Sequence, residues 1–598
     1  MSSGMTPGAG GDPIAAQLAH VDALVRAGKT KDAFIIAKSL AERHADNFAC
    51  VRAAVLTAHA AGDVGATVSF LRQAVAMRSA DVGLRLNLAK ALHEYGDTDA
   101  ALKEIEQAVS IGPATPMMFI HARQMLAFEQ RYMEGRAWLD RGLAIFPRDV
   151  GLNFSRATEH LRLGEYEKAL PMYDSLIAIA PHMAFFYLDR AYAMNYLPHV
   201  DAKQVLDAHR ACGQFLDMAP DMSALWAGRN RDPNRRLRVG FLGPDFFRHS
   251  VAYFVEGLFE HLSRDRCSVY AYYTNRQRDG VTDRLERAAD VFRHVEQEKP
   301  DVLTQIILRD EIDVLIDLAG YTNVHGVTVM AARPAPVLAT YCGYPNTTGS
   351  SRIGWRIVDS VTDPAGSEQY ATESLLRIDP CFLCYRPEVD APEVAAAPHV
   401  RKGFVTFGSF NAQRKFNRVT CGLWRDVLAR VPGSRLAIKS INFTEAASIE
   451  FAREQLREYG LPIERVDVLP AAKTAREHLA QYGEVDIGLD TYPYHGTTTT
   501  CEALWMGVPV VTMTGDRHAS RVGTSLLSCV GLQDWIATSP DRYVEIARRA
   551  ASDGAGLRAL RASLRERMAT SALCDQAGFA RKFEGAVRRM WEAWAAAK

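Results

Sequence analysis

Two rhythms of hydrophobic and polar positions divide the chain. Through the first third, apolar and small residues recur at helical spacing, and the pattern itself repeats: Gly28, Gly62, Gly96, Gln130 and Gly164 lie 34 residues apart. Five positions after each stand Ala33, Thr67, Ala101, Gly135 and Ala169, small in every case, and Pro113, Pro147 and Pro181 follow the last three turn markers by seventeen. A turn residue, a small residue where two helices cross and a closing proline, held in one register over five units, predict a right-handed stack of helical hairpins over residues 14 to 200. Its concave face would suit an extended peptide or another protein, a rigid spacer being the blander reading. Residues 1 to 13, "MSSGMTPGAGGDP", are expected to form a flexible tail.

The 34-residue period is that of tetratricopeptide helix pairs. After Tyr196 the register decays, and "VDAKQVLDAHRACGQFLD" predicts one more helix within a linking region, residues 201 to 236, that ends in "NRDPNRR". A second rhythm then begins, in which short apolar runs alternate with amphipathic segments: "LRVGFLG", "SVYAYY", "DVLIDLAG" and "VLATYCGY". The Ala- and Pro-rich stretch near 387 to 402 interrupts it, and "FVTFGSF", "SRLAIKS", "VDVLP", "DIGLD" and "VPVVTM" resume it. The expected fold is an α-solenoid followed by two Rossmann-like α/β lobes, residues 237 to 386 and 403 to 550, joined by a linker and closed by C-terminal helices over 551 to 598. Such sheets bind ligands beyond the carboxyl ends of their strands, so the natural site is the cleft between the lobes.

Composition narrows the partners. Lys plus Arg total 70 and Asp plus Glu total 70, and this balance argues against nucleic acid or an anionic membrane surface as the main partner. No run approaches 18 apolar residues and the start resembles no signal peptide, so a cytoplasmic protein is expected. Ten cysteines are scattered along the chain, and the lone pair Cys381 and Cys384 in "DPCFLCYRP" is taken as packing.

Candidate chemistry falls just after the expected strands. "GPDFFRHSVAYF" carries His249, "GYTNVHG" carries Tyr321, Thr322 and His325, and "GYPNTTG" spans Gly343, Pro345 and Asn346. In the second lobe "FGSFNAQRK" places Lys415, and His478 lies near the start of "AREHLAQYG". Most telling is "PYHGTTTTCEALWMGVP", residues 493 to 509, where four threonines stand at the mouth of a helix. Hydroxyls at the positive end of a helix dipole suit an anionic oxygen such as a diphosphate. Alternatively, Thr499 and Glu502 fit a capping box, and Lys415 could be a solvated charge beside Arg414 and Arg418. No Walker A sequence is present, and the one Asp-x-Asp, at 97 to 99, sits on a repeat turn. Compensating charge for a phosphate is therefore expected from lysine and helix dipole, without metal or other cofactor.

Together these strings resemble the SPINDLY and O-GlcNAc transferase family of protein O-glycosyltransferases. The likeness covers nearly the whole chain and is nearer the SPINDLY branch in "DFFRHSVAYF", "GYPNTTG" and "PYHGTTTTCEALWMGVPVVTM". It implies a GT-B type inverting transferase acting on a nucleotide-sugar co-substrate and a protein held by the repeats. By this resemblance Thr497, Thr498 and Thr499 hold the donor phosphates, Lys415 neutralises the leaving diphosphate and Glu502 approaches the ribose. His478 lines the nucleotide side, with Gly343 and Pro345 also on the donor and Tyr321 and Asn346 as lining candidates. His249 would orient or deprotonate the attacking hydroxyl. The O-GlcNAc branch has glutamine at Ala412, histidine at Thr497 and a histidine aligned with Asp313. These departures leave UDP-GlcNAc, GDP-fucose and a CMP-linked nonulosonic acid open as donors, and flagellin is the acceptor that family analogy suggests. The rival is a repeat adaptor whose transferase-like half binds nucleotide without catalysis.

Overall fold

The computed structural model describes residues 12–597. The expected tail thus lies outside the described residues except for Asp12 and Pro13, where Asp12 already caps a helix beginning at Pro13. The chain forms two compact units, one up to Arg156 and one from Ala157 onward.

In the first unit, helix pairs such as Phe48–Ala60 with Val64–Met77, joined at Gly62, follow from the repeat. Asp63, Asp81 and Asp97 cap successive helices by accepting the N–H groups of Ala66, Leu84 and Ala100 at 2.9, 3.0 and 3.0 Å. The small markers Ala33 and Ala101 are fully buried, which is what lets two helices approach at those points. All five turn markers are left-handed, with φ of 74, 76, 96, 60 and 76°. Gln130 therefore adopts the turn its register demands, at a cost of roughly 1–2 kcal/mol that glycine avoids.

The division of the chain falls inside the fifth helix pair, not at residue 200 or 236. The helices Tyr166–Ile179, Ala184–Met194 and Ala202–Leu216 all belong to the second unit, and they pack on both lobes. His209 Nε2 lies 2.7 Å from Tyr344 Oη, and Asp217 accepts the Ser351 N–H at 3.0 Å. On the other lobe, Gln455 Nε2 donates to the Leu163 carbonyl at 2.8 Å.

Both sheets are parallel. The first holds β1 (Leu237–Gly243), β2 (Cys267–Tyr273), β3 (Val291–His294), β4 (Val314–Asp317), β5 (Val337–Thr340), β6 (Trp355–Val358) and β7 (Ser374–Arg377), in the order β3-β2-β1-β4-β5-β6-β7. The second holds β8 (Thr406–Ser409), β9 (Arg435–Lys439), β10 (Val466–Leu469), β11 (Ile487–Leu489), β12 (Val510–Met513) and β13 (Ile536–Ala537), ordered β10-β9-β8-β11-β12-β13. Central strands are buried along their whole length, as expected where helices cover both faces.

Two regions beyond the lobe boundaries are closely packed. The last helix, Gln576–Ala596, adds to the first lobe's core: Phe583 lies 6.2 Å from Phe241 of β1 and 5.3 Å from Tyr341. The linker from 387 to 402 is anchored to both sides. Glu388 accepts from Tyr253 Oη at 2.7 Å, Pro392 O accepts from Arg565 at 2.7 Å, and a short helix, Pro398–Lys402, forms within it.

Candidate functional site

In each sheet the strand order reverses once, between β1 and β4 and between β8 and β11. Loops leaving the carboxyl ends diverge there and open a crevice. His249 follows β1, Lys415 follows β8 and Thr497 follows β11, so the topology brings these sequence candidates to the two switch points; Tyr321 also follows a switch-point strand, β4.

Lys415 ends a 3-10 turn, Gln413–Lys415. Its Nζ donates to the His495 carbonyl at 2.7 Å and to Asn411 Oδ1 at 3.1 Å, and stands 4.7 Å from the centre of the Tyr494 ring. Burial, opposed by the Asp490 carboxylate and reinforced by Arg414, lowers its pKa to about 7. A freely solvated lysine would show neither the fixed partners nor the shift. Asp490 folds the adjoining loop under it, accepting from Gly496 N, Thr491 N and Thr512 Oγ1 at 2.7, 2.9 and 2.8 Å. His495, which drew no notice in the sequence, is the other support. Its buried ring accepts the Gly523 N–H at 3.1 Å through Nδ1 and donates to Met513 O at 2.9 Å through Nε2, which fixes the carbonyl that Lys415 grips.

The helix after β11 runs Thr498–Trp505, and no side chain caps it at Thr497. The capping-box reading is overturned, because the Glu502 carboxylate turns to His478 Nε2 at 2.9 Å. Thr499 Oγ1 donates to Asn411 Oδ1 at 3.2 Å, while the buried Thr498 Oγ1 has no partner among the described residues. Gly496 makes this crowding possible, since a Cβ there would stand 2.6 Å from Thr499 Oγ1. On the far side Lys439 Nζ meets His478 Nδ1. With Lys439 donating, the ring carries its proton on Nε2 and passes it toward Glu502, so Lys439, His478 and Glu502 form one polar chain beside the helix start.

The first-lobe wall is looser. His249 has a side chain 41% exposed, with Nδ1 3.4 Å from Asp245 Oδ1. Burial lowers its pKa, with Asp245 opposing and Arg414 of the second lobe reinforcing the shift, so His249 and Arg414 sense one another across the cleft. Tyr321 stands elsewhere: its hydroxyl is taken by the Thr348 carbonyl and its ring stacks on His209 at 5.4 Å, which makes it part of the packing against Ala202–Leu216. Gly343 lies against the Leu318 backbone. Pro345 and Asn346 line a separate polar pocket with Arg356, Asp363, Arg517 and His518, and Asn346 Nδ2 donates to Asn195 Oδ1 at 2.8 Å. Asp313 precedes β4 at its amino end, paired with Arg229 at 3.2 Å and with Arg235. It lies at the end of the strand away from the cleft, so its departure from the O-GlcNAc pattern says nothing about the donor. Cys381 and Cys384 are buried free thiols, in keeping with packing.

Among the described residues no group of three or more His, Cys, Asp or Glu side chains is arranged to hold a metal, and no helix is long and apolar enough to cross a membrane.

Two parallel sheets following tetratricopeptide helices in the chain, with loops gathered at two switch points, are the build of a GT-B transferase. The chain belongs to glycosyl transferase family 41, whose family model matches residues 192–384 and 398–583; a tetratricopeptide repeat model matches residues 58–118. A Solanum lycopersicum protein named "Probable UDP-N-acetylglucosamine--peptide N-acetylglucosaminyltransferase SPINDLY" is 40% identical over 408 residues, 67% of this chain and 44% of that protein. The Arabidopsis thaliana protein of the same activity name but called SEC is 28% identical over 60% of this chain and 37% of its own length. The chain thus matches less than half the length of these curated relatives, and the SPINDLY branch more closely than the SEC branch. A solved mutant of the Thermobaculum terrenum O-GlcNAc transferase superposes with a TM-score of 0.65 at 26% identity, covering 97% of this chain and 98% of its own.

Proposed function

We propose that this chain is an inverting protein O-glycosyltransferase, moving a sugar from a nucleotide-sugar to a serine or threonine hydroxyl of a protein presented by the repeats. The observation that carries the reading is the convergence of Lys415 Nζ with an uncapped helix start at Thr498 whose buried hydroxyl has no partner. As the acceptor oxygen bonds to the sugar and the sugar–phosphate bond breaks, charge gathers on the leaving phosphate. Lys415 and the first N–H groups of the helix take up that charge, and their effect grows toward the transition state. Lys439, His478 and Glu502 would hold the nucleoside, with Glu502 toward the ribose. His249 would orient the hydroxyl or accept its proton.

Both curated relatives are named for UDP-N-acetylglucosamine, which enters here as one donor beside GDP-fucose and a CMP-linked nonulosonic acid. Flagellin is the acceptor to try first. The reaction is proposed to need no metal, so transfer should survive excess EDTA; activity abolished by chelator and restored by magnesium or manganese would refute that. Release of free nucleotide from UDP, GDP and CMP sugars, with and without acceptor protein, tests the whole reading. Release from one donor that rises with acceptor supports it, and binding without release from any donor would make the chain an adaptor instead.

A further inference from the structure

Beside Lys415 stands a second cation that this chemistry leaves unused. Arg414 shares the Gln413–Lys415 turn and is exposed, and its guanidinium has no hydrogen-bond or ion-pair partner among the described residues. Other arginines near the lobe junction are engaged: Arg517 donates to the Leu197 carbonyl at 2.9 Å and Arg521 to the Val361 carbonyl at 2.7 Å. Arg414 is no loosely tethered surface residue. Its own carbonyl accepts from Tyr166 Oη, and Gly164 fits so closely that a Cβ there would stand 3.2 Å from the carbonyls of Gln413 and Phe416.

Aromatic side chains crowd the turn that carries it, Tyr166 reaching the Arg414 carbonyl and Tyr494 lying against Lys415, and no carboxylate forms an ion pair with Arg414 among the described residues. Tyr166 stacks on Tyr196 at 5.4 Å and Tyr196 on Tyr494 at 4.7 Å, and Tyr494 is the ring under Lys415. From the first lobe, the group that senses Arg414 is His249. Arg414 thus shares a turn with the lysine that would meet the leaving phosphate, and its charge helps lower the pKa of the histidine that would meet the acceptor. A permanently charged planar fork, with its backbone clamped and no carboxylate to neutralise it, is a preformed seat for an oxyanion.

We infer that Arg414 binds an oxyanion of the donor: either a phosphate oxygen beside the bond that breaks, or a carboxylate on the transferred sugar. This rests on the transferase reading. The test is calorimetric binding to the full chain and to Arg414→Ala, Arg414→Gln and Arg414→Lys. The probes are UDP, GDP, CMP, the matched pair UDP-glucose and UDP-glucuronic acid, and CMP-N-acetylneuraminic acid. If the oxyanion is a phosphate, Arg414→Ala weakens the bound nucleotide and its sugar conjugates alike, by about 10- to 100-fold. If it is a carboxylate, the free nucleotide and neutral sugar bind as before and only an acidic sugar loses that factor. In either case Arg414→Lys should recover only part, because the fork is lost. Arg414→Gln keeps a polar side chain of similar reach, and guards against a folding defect in the alanine variant. Wild-type affinity for every probe in both Arg414→Ala and Arg414→Gln, with unchanged melting temperature, would overturn the inference. Arg414-dependent binding without nucleotide release from any donor would remove the transferase reading and leave the oxyanion seat standing.

Discussion

Lys415, on the second-lobe wall of the cleft, is fixed by the His495 carbonyl, Asn411 and the Tyr494 ring. His249, on the facing wall, has Asp245 at 3.4 Å and the Val251 N–H at 3.3 Å competing for the same ring nitrogen, and neither contact is strong. On the proposed function, the difference would follow from what each wall does. A phosphate side preorganised before the donor arrives costs nothing to reorganise during the reaction. In the proposed reaction the facing side would receive a hydroxyl carried on another protein, and a loosely held imidazole could adjust to it.

The most drastic way to break this comparison is to remove what clamps the rigid wall. A chain beginning at Asn230 loses Tyr166 and Gly164 from the Lys415 turn and uncovers Tyr321, Tyr344 and Val327, which pack under Leu188 and Cys212. We expect it to be insoluble or inactive, whereas a chain beginning at Ala157 should fold and bind donor, because it keeps the whole compact unit. Sedimentation and circular dichroism of the two truncations decide this, and a well-folded, donor-binding protein from Asn230 onward would show that the clamp is dispensable.

Within the intact chain the next largest effect is expected at Lys415. Its replacement by alanine should lower kcat at saturating donor by roughly a hundredfold to a thousandfold, and donor affinity should fall as well. Near-normal turnover would place the leaving group elsewhere. His249→Ala should cost about a hundredfold, the lower end for acid–base catalysis, and should also change the shape of the pH profile. Because burial lowers the His249 pKa, the acid limb of kcat/KM should fall below pH 6.5, and it should vanish in the variant. If the limb persists in His249→Ala, another group, such as a donor oxygen, takes the proton.

Legibility in the sequence followed the same divide between repetition and tertiary assembly. The repeat register survived even at Gln130, because a turn recurring every 34 residues is visible at positions that lack glycine. Strands that are mostly apolar and buried, such as β1 and β12, were readable from their runs. The short strands β6 and β13 were missed, and so were the edge strands β3 and β7. Each of the latter two is four residues long and only partly buried, so neither shows a continuous apolar run. The union of the last helix with the first lobe was hidden because Phe583 and Trp591 make an amphipathic pattern that names no partner. In the candidate site, strand-end placement picked out Lys415, His249 and the threonines, which the topology brings to the switch points. His495 and Lys439 escaped, since their roles rest on contacts with Gly523, Met513 and His478, distant in sequence. Tyr321 was placed by the same strand-end rule and turned out to be packing.

A smaller effect should sharpen the picture of the rigid wall. Glu502→Gln keeps the shape of the side chain but removes the charge that His478 faces at 2.9 Å. Donor affinity should drop about tenfold while kcat at saturation stays within a factor of two, the signature of a contact made equally in ground and transition states. A large fall in kcat would instead tie the Lys439–His478–Glu502 chain to the chemical step.

The gentlest test uses protons alone. Lys415 titrates near 7 in the free protein because burial disfavours its charge, and a bound phosphate would restore that charge and raise the pKa. The unfolded chain holds this proton up to the ordinary lysine range. Lys415 therefore costs stability below that range, and the cost fades as pH rises from about 7 toward 10.5. Binding has the opposite sign: the donor prefers the protonated lysine, so affinity should fall as pH rises. With half of the lysines charged at pH 7 and about a tenth at pH 8, affinity for a nucleotide-sugar should weaken roughly fivefold over that step. The phosphodiester oxygens of such a donor do not titrate there. Lys439, lowered to about 8 by burial, also titrates in the window. Lys415→Met separates the two, since it removes only the first step and should leave a shallower dependence centred higher. Calorimetry in buffers of different ionisation enthalpy should record proton uptake in the wild type and less in the variant. Affinity that stays flat from pH 7 to 9 would mean that Lys415 is already charged in the free site, and that the wall is solvated rather than dry.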